Sequence, residues 1–332
     1  MALTVLTGDV RKVLPTIPDN SIDCVVTSPP YWGLRDYGHE DQIGLEPTMN
    51  EYLVTMTKVC RELRRVLKPE GTFWLNIGDC YASNAGGSGF SPDTLTKQSE
   101  GKNSDGRRGR PITYSPSHDK NAHGLKSKDL CMIPNRLAIM LQEDGWYVRS
   151  EIIWHKPNPM PESVKDRPTC SHEKVWLLTK SEKYFYNSAA IAEKANYSGV
   201  TKKINEKNAE EKMENGVHRA SAWARPGDDA FTVGDTRNAR NVWKIATKPF
   251  KDAHFATMPV ELAEKCIKAG CPEGGMVLDP FGGAGTTAFA ANRNGRNATL
   301  IELNGEYIQI AEDRVAPNLL DIQIFFIRNN IQ

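Results

Sequence analysis

No run of apolar residues in this 332-residue chain approaches the roughly 20 needed to cross a bilayer, which excludes a helical membrane protein. The opening residues, MALTVLTGDVRK, carry no signal-peptide pattern and run straight into structured sequence, so a cytoplasmic location is expected. The seven cysteines, at 24, 60, 80, 131, 170, 266 and 271, form no C-x-x-C pair and are odd in number. That argues for reduced, buried thiols. Cys266 and Cys271 bracket an expected helix end and read as packing. Net charge is almost absent, at +1, so the total says nothing about nucleic acid. Its distribution says more. Residues 83–128 hold eight Lys and Arg against four Asp and Glu, and 191–250 hold eleven against eight. Both stretches are poor in large apolar residues. A solvated loop explains either, and phosphate contact becomes attractive only beside a base-modifying site.

What is present fits a soluble globular protein, with 39% hydrophobic and 25% charged residues. The organising stretch is Thr27-Ser28-Pro29-Pro30-Tyr31-Trp32. It follows the apolar run Ile22 to Val26, a buried strand. Two prolines end that strand, since neither has an N–H and both hold φ near the extended value. Their carbonyls, the Ser28 hydroxyl and the rings of Tyr31 and Trp32 would make a pocket rim with acceptors for an amino group and a stacking face for a base. Alone, the motif would be a Pro-rich turn.

The remaining chain alternates strands and helices. Leu3 to Leu6 is a strand ending at Thr7-Gly8-Asp9, where Asp9 suits a helix N-cap for Val10 to Leu14. Glu51 to Lys68 is a helix with an apolar stripe of Leu53, Met56, Cys60, Leu63 and Leu67, stopped by Pro69-Glu70-Gly71. Thr72 to Ile77 is the next strand, implying a right-handed crossover in a parallel sheet. Ile133 to Asp144 is a helix. Tyr147 to Trp154 and Lys174 to Thr179 are strands joined without a helix, which predicts an antiparallel pair at the sheet edge. His155 and His172 lie between them, in structural or base-contacting roles. A helix follows Pro259, and Met276 to Asp279, Thr286 to Asn294 and Ala298 to Ile301 give strand, helix, strand. A last helix spans about Gly305 to Arg314, and Ile322 to Ile327 is left unassigned.

The loop Asp279-Pro280-Phe281-Gly282-Gly283-Ala284-Gly285 opens the helix at Thr286. Gly283-x-Gly285-x-x-Ala288 satisfies the dinucleotide fingerprint, with Glu302 17 positions past Gly285, so a nicotinamide-dependent oxidoreductase is one reading. Too little chain follows Glu302 to complete such a domain, and no GK[ST] follows the glycines, which excludes a P-loop. The missing strands must come from the N-terminal half, making the sheet circularly permuted.

Thr27-Ser28-Pro29-Pro30-Tyr31-Trp32, with Val277 to Thr287 and the runs IIWHKPNPMPES and HEKVWLLTKS between them, resembles the amino-group DNA methyltransferases that modify N4 of cytosine or N6 of adenine. Catalytic motif first and cofactor motif last resembles their beta class. The resemblance implies an α/β, Rossmann-like fold, circularly permuted, mostly parallel with one antiparallel edge strand and with inserted DNA-recognition segments. It implies S-adenosyl-L-methionine as cofactor. The glycines Gly283 and Gly285 would let the backbone approach its methionine part, and the helix N-terminus at Thr286 would meet its carboxylate. Glu302, with Asn304 beside it, would take the ribose hydroxyls and Asp9 would lie by the adenine. Asp279, Pro280 and Phe281 would shape the loop, and His254, Phe255 and Thr257 would pack near the methionine.

Catalysis is expected from Ser28, Pro29, Pro30 and Tyr31. An exocyclic amino group is a weak nucleophile and must be flipped out of the duplex. Ser28 and the Pro29 carbonyl would accept its N–H bonds while Tyr31 stacks on the base. Serine rather than aspartate at 28 favours cytosine N4, with adenine N6 as the alternative; no Pro-Cys motif of the cytosine-C5 kind is present. DNA contacts are expected from Trp32, Arg35, Asp36, Tyr37, Arg107, Arg108, Arg110, Trp223, Arg225, Arg237, Arg240 and Trp243. The organisation expected is a catalytic half at 1–82, a basic insertion at 83–128, the rest of that half at 129–186, target recognition at 187–250 and the cofactor half at 251–332. Double-stranded DNA is the expected partner; a homodimer and a cognate restriction endonuclease are compatible with the class, as is a bacterial or phage origin. RNA or protein-amide methylation, and a DNA-binding module without catalysis, are the more distant readings.

Overall fold

The computed structural model describes residues 1–34, 42–82, 125–196, 201–203, 230–232, 234–248, 258–316 and 324–327. In chain order, β1 (Leu3–Thr7) leads into α1 (Val10–Val13), then β2 (Ile22–Thr27), α2 (Met49–Val66) and β3 (Leu67–Ile77). Next come α3 (Ile133–Glu143), β4 (Tyr147–His155) and β5 (His172–Thr179). Four short strands follow: β6 (Glu193–Lys194), β7 (Thr201–Lys203), β8 (Ala230–Thr232) and β9 (Thr236–Arg237). The chain then runs through β10 (Val242–Lys244), α4 (Val260–Gly270), β11 (Met276–Asp279), α5 (Thr286–Arg293), β12 (Asn297–Glu302), α6 (Gly305–Val315) and β13 (Ile324–Ile327). None of the described helices is long and apolar enough to cross a membrane.

Two compact units result, Met1–Tyr186 with Asn241–Gln332, and Asn187–Arg240. The smaller contains two antiparallel pairs, β6 with β9 and β7 with β8. The larger is built on a nine-stranded sheet in the order β10-β4-β5-β3-β2-β11-β12-β1-β13. The C-terminal strands β11 and β12 pack between β2 and β1, so the sheet is closed only by joining the two ends of the sequence. This is the permuted, mostly parallel architecture expected.

One strand, β5, runs antiparallel to both neighbours. It is not the edge strand. Val242–Lys244 adds β10 parallel to β4, and β4 and β10 both lie outside β5. That edge strand comes from the stretch read as target recognition, where three residues are too short to show a period. At the other edge β13 pairs in parallel with β1.

Helix α2 starts with a reciprocal capping box between Thr48 and Glu51. Tyr52, Leu53, Met56, Val59, Cys60 and Leu63 form its buried face; each large apolar side chain so buried stabilises the fold by about 1.5–3 kcal/mol. The helix ends at Val66, before Pro69-Glu70-Gly71, because Leu67 already pairs with Ile22 as the start of β3. Ile22 pairs with Leu67 and Cys24 with Thr72, so Pro69 and Gly71 occupy a break in the ladder. A proline is tolerated there because no ladder N–H is missing.

Candidate active site

Parallel strands direct their C-terminal ends to one edge, where open α/β sheets bind ligands. β2 and β11 are neighbours, with Val25 opposite Leu278. Their next residues therefore bring Ser28-Pro29-Pro30-Tyr31 beside the loop 280–285. β12 delivers Glu302 and β1 delivers Asp9 to the same edge, through the pairing of Thr7 with Glu302. A cavity of about 300 Å³ lies between these ends. Ser28, Pro29, Pro30, Tyr31, Asp9, Asp279, Pro280, Phe281, Gly283, Thr286, Glu302 and Asn304 all line it.

The cofactor side is built from backbone constraints. Gly285 caps α5 with φ of 71°, and a Cβ there would sit 2.8 Å from the Ala311 Cβ. The Gly285 N–H donates to the Gly282 carbonyl at 2.9 Å, closing a tight turn. Glu302 braces that turn: its Oε2 accepts from the Gly283 N–H at 2.7 Å and its Oε1 from the Asn304 N–H at 2.8 Å. Asn304 caps α6 by accepting from the Glu306 N–H at 2.9 Å. Arg314 donates to Thr286 Oγ1 at 2.8 Å, holding the start of α5.

Of the two roles considered for Asp9, the structure shows the helix cap. It caps α1 and takes Arg11 in a paired interaction, while its residue lines the cavity. Burial pushes its carboxyl up, but hydrogen bonds and charge from Arg11 outweigh that and leave it below the ordinary value. Asp279 is buried and engaged by protein groups. It accepts from Thr27 Oγ1 at 2.6 Å, Thr287 Oγ1 at 2.7 Å and the Phe281 N–H at 3.1 Å. Its structural contribution is to orient the loop. The residues on the cavity wall fit S-adenosyl-L-methionine: the glycine turn at Gly282 and Gly283, the acidic Glu302 at the end of β12, and apolar walls at Phe281, Ile301 and Met258; Gly285, expected there, faces Ala311 of α6 and does not line the cavity.

On the catalytic side the Ser28 and Tyr31 hydroxyls lie 3.2 Å apart. Tyr31 donates to Glu173 Oε2 at 2.7 Å. Asn76 donates to the same oxygen at 3.1 Å, and Lys156 pairs with Oε1. Burial, then the charge of Glu173, pushes the Tyr31 phenol well above its ordinary value. The Pro30 carbonyl is not open as expected: it accepts from the Tyr52 hydroxyl at 2.9 Å.

Some expectations need correction. Trp32 is 2% exposed and its indole N–H donates to the Glu46 carbonyl at 2.9 Å, so it packs in the core and offers no face to DNA. Trp243 is likewise buried, in β10, beside the rings of Trp74 and under Lys265. Arg237 and Arg240 both pair with Glu193. Arg35, Asp36, Tyr37, Arg107, Arg108, Arg110, Trp223, Arg225, His254, Phe255 and Thr257 lie outside the described residues. Lys156, Glu173 and Asn76 line the cavity and were missed in the sequence. The first two follow His155 and His172, which pair across β4 and β5. The histidines are the conspicuous residues there, yet it is the following ones, Lys156 and Glu173, that reach the cavity, since neighbours at a strand end project to opposite sides.

The class of protein this fold and site define is a permuted methyltransferase. The family model described as DNA methylase, for N6 and N4 methylation, matches residues 22–313. The chain is 44% identical over 313 residues to the type II methyltransferase M.XycI of Xanthomonas campestris pv. cyanopsidis, covering 94% of this chain and 87% of that one. It is 42% identical to M.SmaI of Serratia marcescens, with 94% and 90% covered. Among solved structures it shares its fold with the cytosine-N4-specific PvuII DNA methyltransferase (TM-score 0.59, 19% identity, 100% and 90% covered). It also shares it with TTHA0409 of Thermus thermophilus, solved with S-adenosyl-L-methionine (TM-score 0.54, 22% identity, 98% and 99% covered). The chain belongs to the amino-group DNA methylase family.

Proposed function

We propose that the protein methylates N4 of a cytosine flipped out of duplex DNA, at a site also cut by a cognate type II endonuclease. The observation that carries this reading is the Ser28 hydroxyl on the cavity wall, with Pro29 beside it on the same wall. The type II relatives and the cytosine-N4-specific neighbour of like fold support it.

Ser28 and the Pro29 carbonyl accept the two amino N–H bonds, which draws the nitrogen toward sp³ and frees its lone pair. Tyr31 lies against the extruded base. When bound, S-adenosyl-L-methionine supplies an electrophilic methyl group. Gly283 and the start of α5 would hold its methionine part, and Glu302 would hold its ribose. The surrounding apolar wall excludes water. Target recognition is assigned to the segment 187–240, which ends before β10, with exposed Arg240 contacting phosphate.

The test uses unmethylated genomic DNA, methyl-labelled cofactor and mass spectrometry of the nucleosides. N4-methylcytosine is expected. N6-methyladenine would overturn the choice of base, and no labelled DNA would overturn the substrate. Ser28→Ala should lower turnover about a hundredfold or more with cofactor affinity retained.

A further inference from the structure

We infer that Glu173 is a positioning residue for methyl transfer: it sets the direction of the Ser28–Tyr31 hydrogen bond so that Ser28 presents lone pairs to the substrate amino group. The inference rests on the reading that Ser28 receives that group.

Each hydroxyl has one proton to give. Tyr31 donates its own to Glu173 Oε2, at 2.7 Å. The phenol keeps that proton, because burial and the neighbouring carboxylate both disfavour its loss. The Tyr31 oxygen can then only accept from Ser28, across 3.2 Å. Ser28 has therefore spent its proton, and both its lone pairs are available. The incoming amino group brings only N–H donors toward Ser28, so acceptors are what it needs there. Were Tyr31 to donate to Ser28 instead, the serine proton would be free to point at an N–H, and two donors would face each other. Geometry alone leaves the sense of the Ser28–Tyr31 bond open; the carboxylate decides it.

The surroundings hold Glu173 to this task. Lys156 pairs with its Oε1, and the ammonium lies 4.5 Å from the centre of the Trp154 ring. Asn76, 3% exposed, donates to Oε2 at 3.1 Å and to the Lys174 carbonyl at 3.3 Å. The Tyr31 ring is seated against Gly78, where a Cβ would come within 2.6 Å of Tyr31 Cε2. The phenol is thus fixed at both its ring and its oxygen.

Single-turnover methyl transfer to unmethylated DNA tests this with Ser28→Ala, Tyr31→Phe, Glu173→Gln and the Tyr31→Phe/Glu173→Gln double variant. Tyr31→Phe and Glu173→Gln should each slow transfer by about tenfold to a hundredfold, with the cofactor Kd within about twofold of wild type. The double variant should be no slower than the slower single one, since both cut the same chain of bonds. A wild-type rate for Glu173→Gln, or losses that multiply, would overturn the inference; a merely structural role predicts the latter. Should Glu173→Gln not fold, Lys156→Met serves, as it loosens the carboxylate without touching Tyr31, and a wild-type rate there would count equally against it. Full activity in Ser28→Ala would instead refute the underlying reading, whatever Glu173 does.

Discussion

Thr27 Oγ1 donates to Asp279 Oδ1 at 2.6 Å, tying the last residue of β2 to the last of β11 across 252 positions of sequence. Both residues are buried, at 1% and 4% exposure. The bond joins the strand that ends in the catalytic motif to the strand that ends in the cofactor loop. Thr27→Val keeps the shape and leaves a buried carboxylate oxygen short of a donor. It should cost about 1–3 kcal/mol in urea denaturation and slow methyl transfer. An unchanged unfolding midpoint would show that the bond contributes nothing.

Stability should depend on pH through the same carboxyl. Burial, reinforced by the charge of Glu302, pushes Asp279 up to about 7, against the opposing hydrogen bonds of Thr27, Thr287 and Phe281. Unfolded, it titrates near 3.8. Between these values the folded protein binds the extra proton, so its contribution to stability is full below the lower value and is lost as pH rises toward the upper one. In Asp279→Asn the carboxamide oxygen still accepts from Thr27, and Thr287 can turn its proton to the Val26 carbonyl, 3.4 Å away. Urea midpoints from pH 5 to 8 should move progressively in favour of the asparagine variant. A difference that stays constant with pH would rule out titration of Asp279 in this range.

The two loop glycines should respond unequally. Gly285 has φ of 71° and a Cβ there meets Ala311 at 2.8 Å, whereas Gly283 has φ of 47° and nothing nearer than the Phe281 carbonyl at 3.9 Å. Gly283→Ala should cost about 1 kcal/mol, from backbone strain alone. Gly285→Ala should cost distinctly more and weaken cofactor binding, because α6 must shift away from the loop. Calorimetric titration with S-adenosyl-L-methionine, beside thermal denaturation, reads both effects. Equal losses would mean that the Ala311 contact relaxes freely.

Trp32 separates packing from recognition. Trp32→Phe removes part of a buried ring and its bond to the Glu46 carbonyl, and should destabilise by about 1–3 kcal/mol. DNA affinity at fixed salt should stay within about twofold. A large loss of affinity in a protein of unchanged stability would restore the tryptophan to the DNA surface.

The two motif loops, the order of the halves and most strands were legible in the sequence because each rests on local chemistry. Prolines end β2, a capping box starts α2, and the glycines of the cofactor loop permit a turn that other residues resist. Where the readings failed, the deciding partner was distant. The helix did not run to Pro69, because Ile22 had already drawn Leu67 into the sheet. Trp32 and Trp243 read as surface aromatics, yet the core claims both. The pair Lys156–Glu173 was hidden beside two histidines, since only the pairing of β4 with β5, and of β5 with β3, carries Glu173 to Tyr31.

The sequence by itself determined the alternation of strands and helices, the Pro-Pro turn after β2 and the glycine-rich loop after β11, because those work through their own backbone geometry, and its resemblance to the amino-group DNA methyltransferases supplied the chemistry. Only the tertiary structure decided which carboxylates act as braces, which aromatics are core and which residues surround Ser28. Those roles depend on burial and on hydrogen bonds between strands adjacent in the sheet and far apart in the chain.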